Sequence, residues 1–152
     1  CRSYSQEFGL DYTIFRFFNT YGPKQSVDFV MSKFIRQALN NEPITIYGDG
    51  SQTRTFCYID DNLDACLNAF KENKIVNDVV NIGNDEITEI VDLAKIIIRL
   101  TNSKSEIIHL PPLRDGDMTR RQPDISKMRE LLNRPLTSLE EGIKNVLKLG
   151  NF

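Results

Sequence analysis

The chain has 152 residues, of which 40 % are hydrophobic and 26 % are charged, and its formal net charge at pH 7 is −2. This composition predicts one unit with its own hydrophobic core, and the slightly negative charge argues against a nucleic-acid surface, which needs clustered positive charge. No apolar run approaches the roughly 20 residues of a membrane span, and the N-terminus lacks a signal-peptide pattern. We therefore expect a cytoplasmic protein with neither nucleic acid nor membrane as a partner.

The three cysteines are Cys1, Cys57 and Cys66, and their spacing fits no metal site. They lie in or beside apolar segments. We expect buried free thiols in a reducing compartment, and no metal centre.

The first 23 residues predict a helix, a strand and a ligand-facing loop. Residues 1–8 are typical of the last turns of a helix, which Gly9 ends. No capping residue precedes this helix, so we expect the chain to be part of a longer one. Residues 11–18 are β-branched and aromatic, which is typical of a strand buried on both faces of a parallel sheet. The loop at residues 19–23 follows at the edge where open α/β sheets bind ligands. Its candidate polar group is Asn19, whose alternative role is an Asx turn.

The next segment predicts a helix and a hairpin. Residues 28–40 place apolar side chains at helical spacing, which predicts a packing helix. After Pro43, the strand of residues 44–47, a glycine turn and a second strand at residues 53–59 are typical of a hairpin.

Two further helices are predicted on either side of a strand at residues 78–82. Asp60 or Asp61 is expected to cap the first helix rather than to act as a catalytic acid, and Thr88 is the expected cap of the second. The predicted apolar faces are Leu63, Cys66, Leu67 and Phe70 in the first helix and Ile90, Leu93, Ala94, Ile97 and Leu100 in the second.

The last third of the chain predicts an edge strand, a polar loop and two short helices. Residues 106–110 alternate weakly and end at two prolines, as an edge strand does. His109 is the single histidine, and we assign it no functional role. The loop at residues 113–124 carries three arginines. The two helices follow Ser126 and Ser138, the second of which begins a capping box.

Arginines lie beside glycine-containing loops in two separate segments: Arg54 in the first, and Arg114, Arg120 and Arg121 in the second. Converging guanidinium groups grip phosphate or diphosphate through paired hydrogen bonds. Tyr47 could lie against a flat base, whereas the alternative for each arginine is a solvated surface charge. The residues include no catalytic triad, metal cluster or glycine-rich phosphate loop, so by themselves they indicate binding without catalysis.

Six ordered motifs carry a resemblance to a known family. The string RFFNTYGP at residues 16–23 is similar to a segment of the extended short-chain dehydrogenase/reductase superfamily, the NAD-dependent nucleotide-sugar epimerases, dehydratases and decarboxylases. The other five motifs resemble the carboxyl-terminal half of the same enzymes: FIRQAL at residues 34–39, EPITIYGDGSQTR at 42–54, VNIG at 80–83, PDIS at 123–126 and LEEG at 139–142.

The resemblance implies an α/β fold, in which the chain is the C-terminal, substrate-binding part of such an enzyme with the last strand or strands of its Rossmann sheet. Residues 1–27 would be the tail of the Rossmann domain and residues 28–152 the substrate-binding domain. The family's dinucleotide-binding half and its Tyr-x-x-x-Lys catalytic pair match nothing in this sequence. We therefore expect the chain alone to be inactive and not to retain NAD, and the full-length enzyme to be a homodimer.

The resemblance also implies roles for individual residues, with a UDP- or dTDP-linked sugar as substrate. Thr20 and Tyr21 would lie near the nicotinamide of NAD. The residues that would bind the substrate are Asn19 at the sugar or diphosphate, Tyr47 at the base, Arg54 and Arg121 at the diphosphate, and Arg114 as a weaker candidate.

Residues 53–60 and 120–126 look most like UDP-glucuronate decarboxylases. A 4-epimerase and a 4,6-dehydratase remain open as reaction types. A hypothesis of a different class is a stand-alone module that binds nucleotide sugars or proteins without catalysis.

Overall fold

The computed structural model describes residues 1–112 and 122–150, in which six helices and eight short strands alternate. The helices are α1 (Arg2–Phe8), α2 (Val30–Leu39), α3 (Ile59–Lys71), α4 (Ile90–Thr101), α5 (Ser126–Leu131) and α6 (Leu139–Leu149). The strands are β1 (Thr13–Phe17), β2 (Thr20–Tyr21), β3 (Ile44–Tyr47), β4 (Thr53–Arg54), β5 (Cys57–Tyr58), β6 (Asp78–Ile82), β7 (Thr88–Glu89) and β8 (Ile107–Leu110).

The strands pair two by two. The pairs β1–β6, β2–β5 and β3–β8 are parallel, and β4–β7 is antiparallel. Parallel neighbours need long crossover connections, and the helices supply them. The predicted α/β class is confirmed.

Two hydrophobic clusters stabilise the fold. The larger one lies between α2, β3, α4 and α6, with Phe34, Ile35 and Ile97 among its buried side chains. The smaller one joins β6, α3 and α5, with Ile82 and Met128 at its centre. Burying one such side chain contributes about 1.5–3 kcal/mol, so the clusters supply most of the driving force for folding. The proposed division at residue 28 stays a prediction; β1 of its first part is hydrogen-bonded to β6 of its second.

Several predicted elements are confirmed with small shifts at their ends. Helix α1 ends at Gly9, which has the left-handed φ of 64°. The Ser138 hydroxyl accepts a hydrogen bond from the backbone N–H of Glu141 and so caps α6. The predicted face of α4 is buried from Ile90 to Ile97. Strands β3, β6 and β8 fall within the predicted ranges.

The predicted hairpin is wrong. Strand β3 pairs with β8, and the predicted second strand is divided into β4 and β5, which belong to two other sheets. The turn between β3 and β4 packs on α4: the N–H groups of Ile90 and Val91 donate to the carbonyls of Gln52 and Gly50 at 3.1 Å each. Gly50 has a φ of 81°, and a Cβ there would lie 2.9 Å from Val91 Cβ, so this close approach requires glycine.

The same contact explains why Thr88 does not cap α4. Helix α4 starts after Glu89 and has no side-chain cap, and Thr88 lies in β7. The first N–H groups of the helix are satisfied by the loop carbonyls instead.

The predictions for the start and the face of α3 are also wrong. The helix follows Tyr58 without a side-chain cap, so neither Asp60 nor Asp61 serves as one. The predicted apolar face points outward, with Phe70 86 % exposed and Leu63 and Leu67 at least half exposed. The buried stripe of the helix is Asp61, Asn62, Ala65 and Ala69. Small alanines allow close packing on α5, and the two polar residues find hydrogen-bond partners inside, which apolar spacing does not reveal.

Strand β1 is not buried on both faces. Its first three residues are half-buried, and Arg16 and Phe17 are exposed. Within the described residues the sheet has two strands, β1 and β6, so β1 has a neighbouring strand on one side only. The loop predicted at residues 19–23 contains the short strand β2. The cysteines form no disulfide, but only Cys57 is buried; Cys1 is exposed and Cys66 is partly so.

Among the described residues, no helix has the length and apolarity required to cross a membrane.

Asp61 is fully buried and connects α3 to the segment before α6. One carboxylate oxygen accepts from Arg134 Nη1 at 2.6 Å and from the Thr137 hydroxyl at 2.9 Å. The other accepts from the Thr137 N–H at 3.0 Å. Asp64 pairs with the opposite side of the same guanidinium, but at the surface.

Replacing Asp61 therefore tests the buried connection. Asp61→Ala leaves the Thr137 N–H without its partner and removes the carboxylate from Arg134 Nη1, which keeps only the Pro135 carbonyl. We expect the variant to lower the free energy of unfolding by about 2–4 kcal/mol. The matched control, Asp64→Ala, removes an exposed pair and should cost under about 1 kcal/mol. Urea denaturation measures both values. Equal losses for the two variants would contradict the role given to Asp61.

A second stability test concerns Gly142. A Cβ at this position would lie 1.9 Å from the Tyr21 hydroxyl oxygen. We expect Gly142→Ala to cost about 1–3 kcal/mol through overpacking. In a Tyr21→Phe background the cost should be smaller, since the oxygen is gone. A double-mutant cycle by thermal unfolding checks this, and strictly additive losses would show that the two residues do not touch.

Candidate functional site

A cleft of about 760 Å³ opens where the chain leaves β1. Its walls come from the end of β1, strand β2, the loop before α2, the start of α2 and the residues on either side of β5. The cleft is lined by Phe17, Asn19, Thr20, Tyr21, Gly22, Pro23, Lys24, Gln25, Ser26, Phe29, Val30, Met31, Phe56 and Ile59. A mostly apolar hollow with a few polar groups, at the carboxyl end of a parallel strand, is typical of ligand sites in α/β folds.

Asn19 is held by its backbone and leaves its side-chain donor unused. Its φ of 41° lies in the left-handed region, which asparagine tolerates better than most residues. Its carbonyl accepts from the Cys57 N–H at 3.2 Å. The side-chain Nδ2 is buried and has no hydrogen-bond partner within the described residues. An unpaired buried donor is costly, so this amide is suited to an acceptor on a ligand.

Tyr21 turns its side chain into the core, where it is 1 % exposed. Its hydroxyl donates to the Leu139 carbonyl at 3.5 Å, and burial, together with the nearby charge of Asp61, raises the pKa of the phenol. The ring therefore joins β2 to α6 and is held in its neutral form. The predicted position of Tyr21 near a nicotinamide stays a prediction, and with its side chain buried only its backbone could make that contact.

Gly22 is required by the shape of the cleft. A Cβ at this position would lie 2.7 Å from Ile59 Cγ2, so any larger residue would push the loop away from the first residue of α3.

Tyr47 and Arg54 do not line the cleft. Tyr47 ends β3 with its ring half exposed and Lys33 Nζ 5.8 Å from the ring centroid. Arg54 lies in β4, two residues before Phe56, and its Nη1 donates to the Thr53 carbonyl at 2.8 Å. Their contacts with a nucleotide stay predictions.

Three of the predicted arginines, Arg114, Arg120 and Arg121, lie outside the described residues. His109 is exposed, with Nδ1 2.8 Å from the Gly48 carbonyl. Within residues 1–112 and 122–150, no three histidine, cysteine or acidic side chains come close enough to hold a metal ion.

The sequence patterns missed Gln25, a polar residue that lines the cleft, and Ser32, a buried residue of α2 that supports it. Gln25 Nε2 donates to the Thr20 carbonyl at 2.7 Å, and the Ser32 hydroxyl donates to Gln25 Oε1 at 3.1 Å. These bonds hold the loop against the start of α2. Gln25 belongs to no motif, and Ser32 is a polar position within the predicted helix of residues 28–40, so no signal in the sequence pointed to their bond.

Comparison with known proteins shows what the chain resembles. The family model described as NAD dependent epimerase/dehydratase matches residues 1–83. The UDP-N-acetyl-alpha-D-glucosaminuronate decarboxylase of Bacillus cytotoxicus is 36 % identical, over 97 % of this chain and 48 % of its own length. The UDP-glucuronic acid decarboxylase 1 of Danio rerio is 38 % identical, over 97 % of this chain and 35 % of its own. The chain thus spans half or less of the length of these relatives.

Two solved structures agree with these matches. UDP-glucose 4-epimerase from Thermotoga maritima, determined with UDP-glucose, superposes with a TM-score of 0.88 at 34 % identity, over 97 % of this chain and 48 % of its own. UDP-glucuronic acid 4-epimerase from Bacillus cereus, determined with UDP-glucuronic acid and NAD, gives a TM-score of 0.86 at 33 % identity, over 98 % and 48 %. The predicted resemblance is confirmed, and the chain belongs to the NAD-dependent epimerase/dehydratase family.

Proposed function

We propose that the protein to which this chain belongs is an NAD-dependent enzyme that modifies a nucleotide sugar. The UDP-glucuronate decarboxylase, 4-epimerase and 4,6-dehydratase reactions are the three candidates. The chain binds the nucleotide diphosphate of the sugar. The observation that carries the proposal is Asn19, which lines a cleft of about 760 Å³ and whose buried Nδ2 has no hydrogen-bond partner among the described residues. The relatives named for UDP-sugar reactions support the choice of ligand.

In this proposal the chain holds and orients the substrate. Asn19 donates to the sugar or the diphosphate, and Tyr47 covers the base. Arg54 and Arg121 grip the diphosphate through charge-assisted hydrogen bonds, with Arg114 as a weaker contributor. UDP-glucuronic acid, which carries a carboxylate, and UDP-glucose, which does not, both contain a diphosphate. Contacts with the diphosphate therefore suit all three reaction types.

NAD fits the same cleft in this proposal. Thr20 and the backbone of Tyr21, which line the cleft, would face its nicotinamide end, and when bound NAD supplies the hydride acceptor. The 152 residues contain no Tyr-x-x-x-Lys pair. We therefore propose that the chain by itself is inactive and does not retain NAD. We also propose that residues 1–27 and 28–152 are separate parts of the enzyme, and that the full-length enzyme is a cytoplasmic homodimer.

Arg54 provides the sharpest binding test. In the full-length protein, Arg54→Ala should weaken UDP binding at least about tenfold, because one charge-assisted bond to the diphosphate is lost. Arg36→Ala is the control, since Arg36 is an exposed arginine on α2 away from the cleft and should leave the affinity unchanged. Isothermal titration calorimetry measures both. An unchanged affinity in the Arg54 variant would exclude the proposed role.

Turnover separates the reaction types. Full-length protein incubated with NAD and UDP-glucuronate should release carbon dioxide if it is a decarboxylase and form a 4-epimer without gas release if it is an epimerase. Nuclear magnetic resonance of the sugar protons distinguishes the products. A protein that leaves UDP-glucuronate, UDP-glucose and dTDP-glucose all unchanged would contradict the proposed enzyme class.

A further inference from the structure

A chain of hydrogen bonds runs beneath the cleft and meets at Thr20. On one side, Gln25 donates to the Thr20 carbonyl at 2.7 Å. On the other, Asn62 Nδ2 donates to the Thr20 hydroxyl oxygen at 2.6 Å, and the Cys57 thiol donates to Asn62 Oδ1 at 2.8 Å. Asn62 is 2 % exposed and Cys57 is fully buried. Thr20 lines the cleft, whereas Asn62 and Cys57 do not.

The thiol determines which way the Asn62 amide points. Burial, with the nearby charge of Asp61 as the second cause, raises the pKa of Cys57 to about 12, so the sulfur keeps its proton at neutral pH. A protonated thiol offers a hydrogen to the amide oxygen. The NH₂ group of Asn62 is therefore directed at Thr20, in agreement with the short distance between these atoms.

This direction decides what the Thr20 hydroxyl does. A hydroxyl has one proton to donate, and its oxygen can accept as well. Because the oxygen accepts from Asn62, the proton points away from the amide, and no hydrogen bond donated by this hydroxyl is seen among the described residues. The neighbouring Asn19 Nδ2 is a second donor without a partner in that part of the chain. Two consecutive residues that line one cleft thus each carry a side-chain donor for which the described part of the chain supplies no acceptor.

We propose that Asn62 is a positioning residue: it fixes the Thr20 hydroxyl as a donor into the cleft, where Thr20 and Asn19 together bind an acceptor oxygen of the ligand. The inference rests on the proposed function and deepens it, because it adds a specificity element from α3 that does not touch the ligand. The acceptor belongs either to the nucleotide sugar or to the carboxamide of NAD. Both sources present the same chemistry, an oxygen lone pair.

The experiment is a double-mutant cycle on the full-length protein with two titrations, UDP-glucuronate in the presence of NAD and NAD in the presence of UDP. Thr20→Val removes the hydroxyl without changing the shape, and it should weaken binding about tenfold in one of the two titrations, which identifies the source of the oxygen. Thr20→Ser keeps the hydroxyl, so it should bind with most of the wild-type affinity. Asn62→Leu frees the hydroxyl to rotate and should weaken the same titration about fivefold.

The decisive quantity is the coupling between the two residues. The double variant should bind no more weakly than Thr20→Val alone, because Asn62 acts only through the hydroxyl. Asn68→Leu is the matched control: Asn68 lies on the same helix and donates to the Leu131 carbonyl, so its loss should lower the melting temperature without affecting affinity. If Asn62→Leu does not fold, Asn62→Ala makes the same test with a smaller side chain.

Three results would overturn the inference. If the effects at Thr20 and Asn62 multiply, or if neither titration changes while the wild type binds both ligands, Asn62 does not position Thr20 and the proposed function still stands. If the wild type binds neither ligand, the proposed function fails and the inference fails with it.

Discussion

The fold depends on two residues of parallel pairing, Thr20–Tyr21 of β2 against Cys57–Tyr58 of β5. Tyr21 and Tyr58 belong to the larger hydrophobic cluster, and Cys57 belongs to the smaller one, so this short ladder joins the two cores. The ring of Tyr21 contacts that of Tyr58 at a centroid distance of 5.6 Å and that of Phe56 at 6.4 Å. A side chain this large, buried on a two-residue strand, contributes far more stability than the ladder's few hydrogen bonds.

The cleft is a consequence of this junction. Strand β2 leaves the end of β1 with Asn19 in a left-handed conformation, and the chain then turns back over Ile59 through Gly22. The core face of the strand is occupied by Tyr21, while Asn19 and Thr20 also line the cleft. Three consecutive residues thus contribute both to the core and to the wall of the cleft, and the proposed division of roles follows from that placement.

The sequence predicted those features that depend on local pattern. The helical spacing in α2 and α4, the Ser138 cap and the Gly9 terminus follow from rules that act within a few residues. The loop at Asn19 was predicted because a polar loop after a strand is a local signal, and the structure places Asn19 on the wall of the cleft; its role in binding stays a prediction. What failed depends on partners far along the chain. Strand β3 pairs with a strand some sixty positions away, and α3 buries Asp61 and Asn62 because residues 134–137 and Thr20 supply their partners. A prediction from apolar periodicity assigns such polar residues to the exposed side, so it placed the wrong face of α3 in the core.

The crystal structure of the full-length protein with NAD and UDP-glucuronate is the most direct test of the central claim, that this cleft is the ligand site. The account predicts a ligand oxygen within about 3.2 Å of Asn19 Nδ2, with the diphosphate on the side of Arg54. A ligand bound elsewhere, with the Asn19 amide facing only protein or solvent, would contradict it.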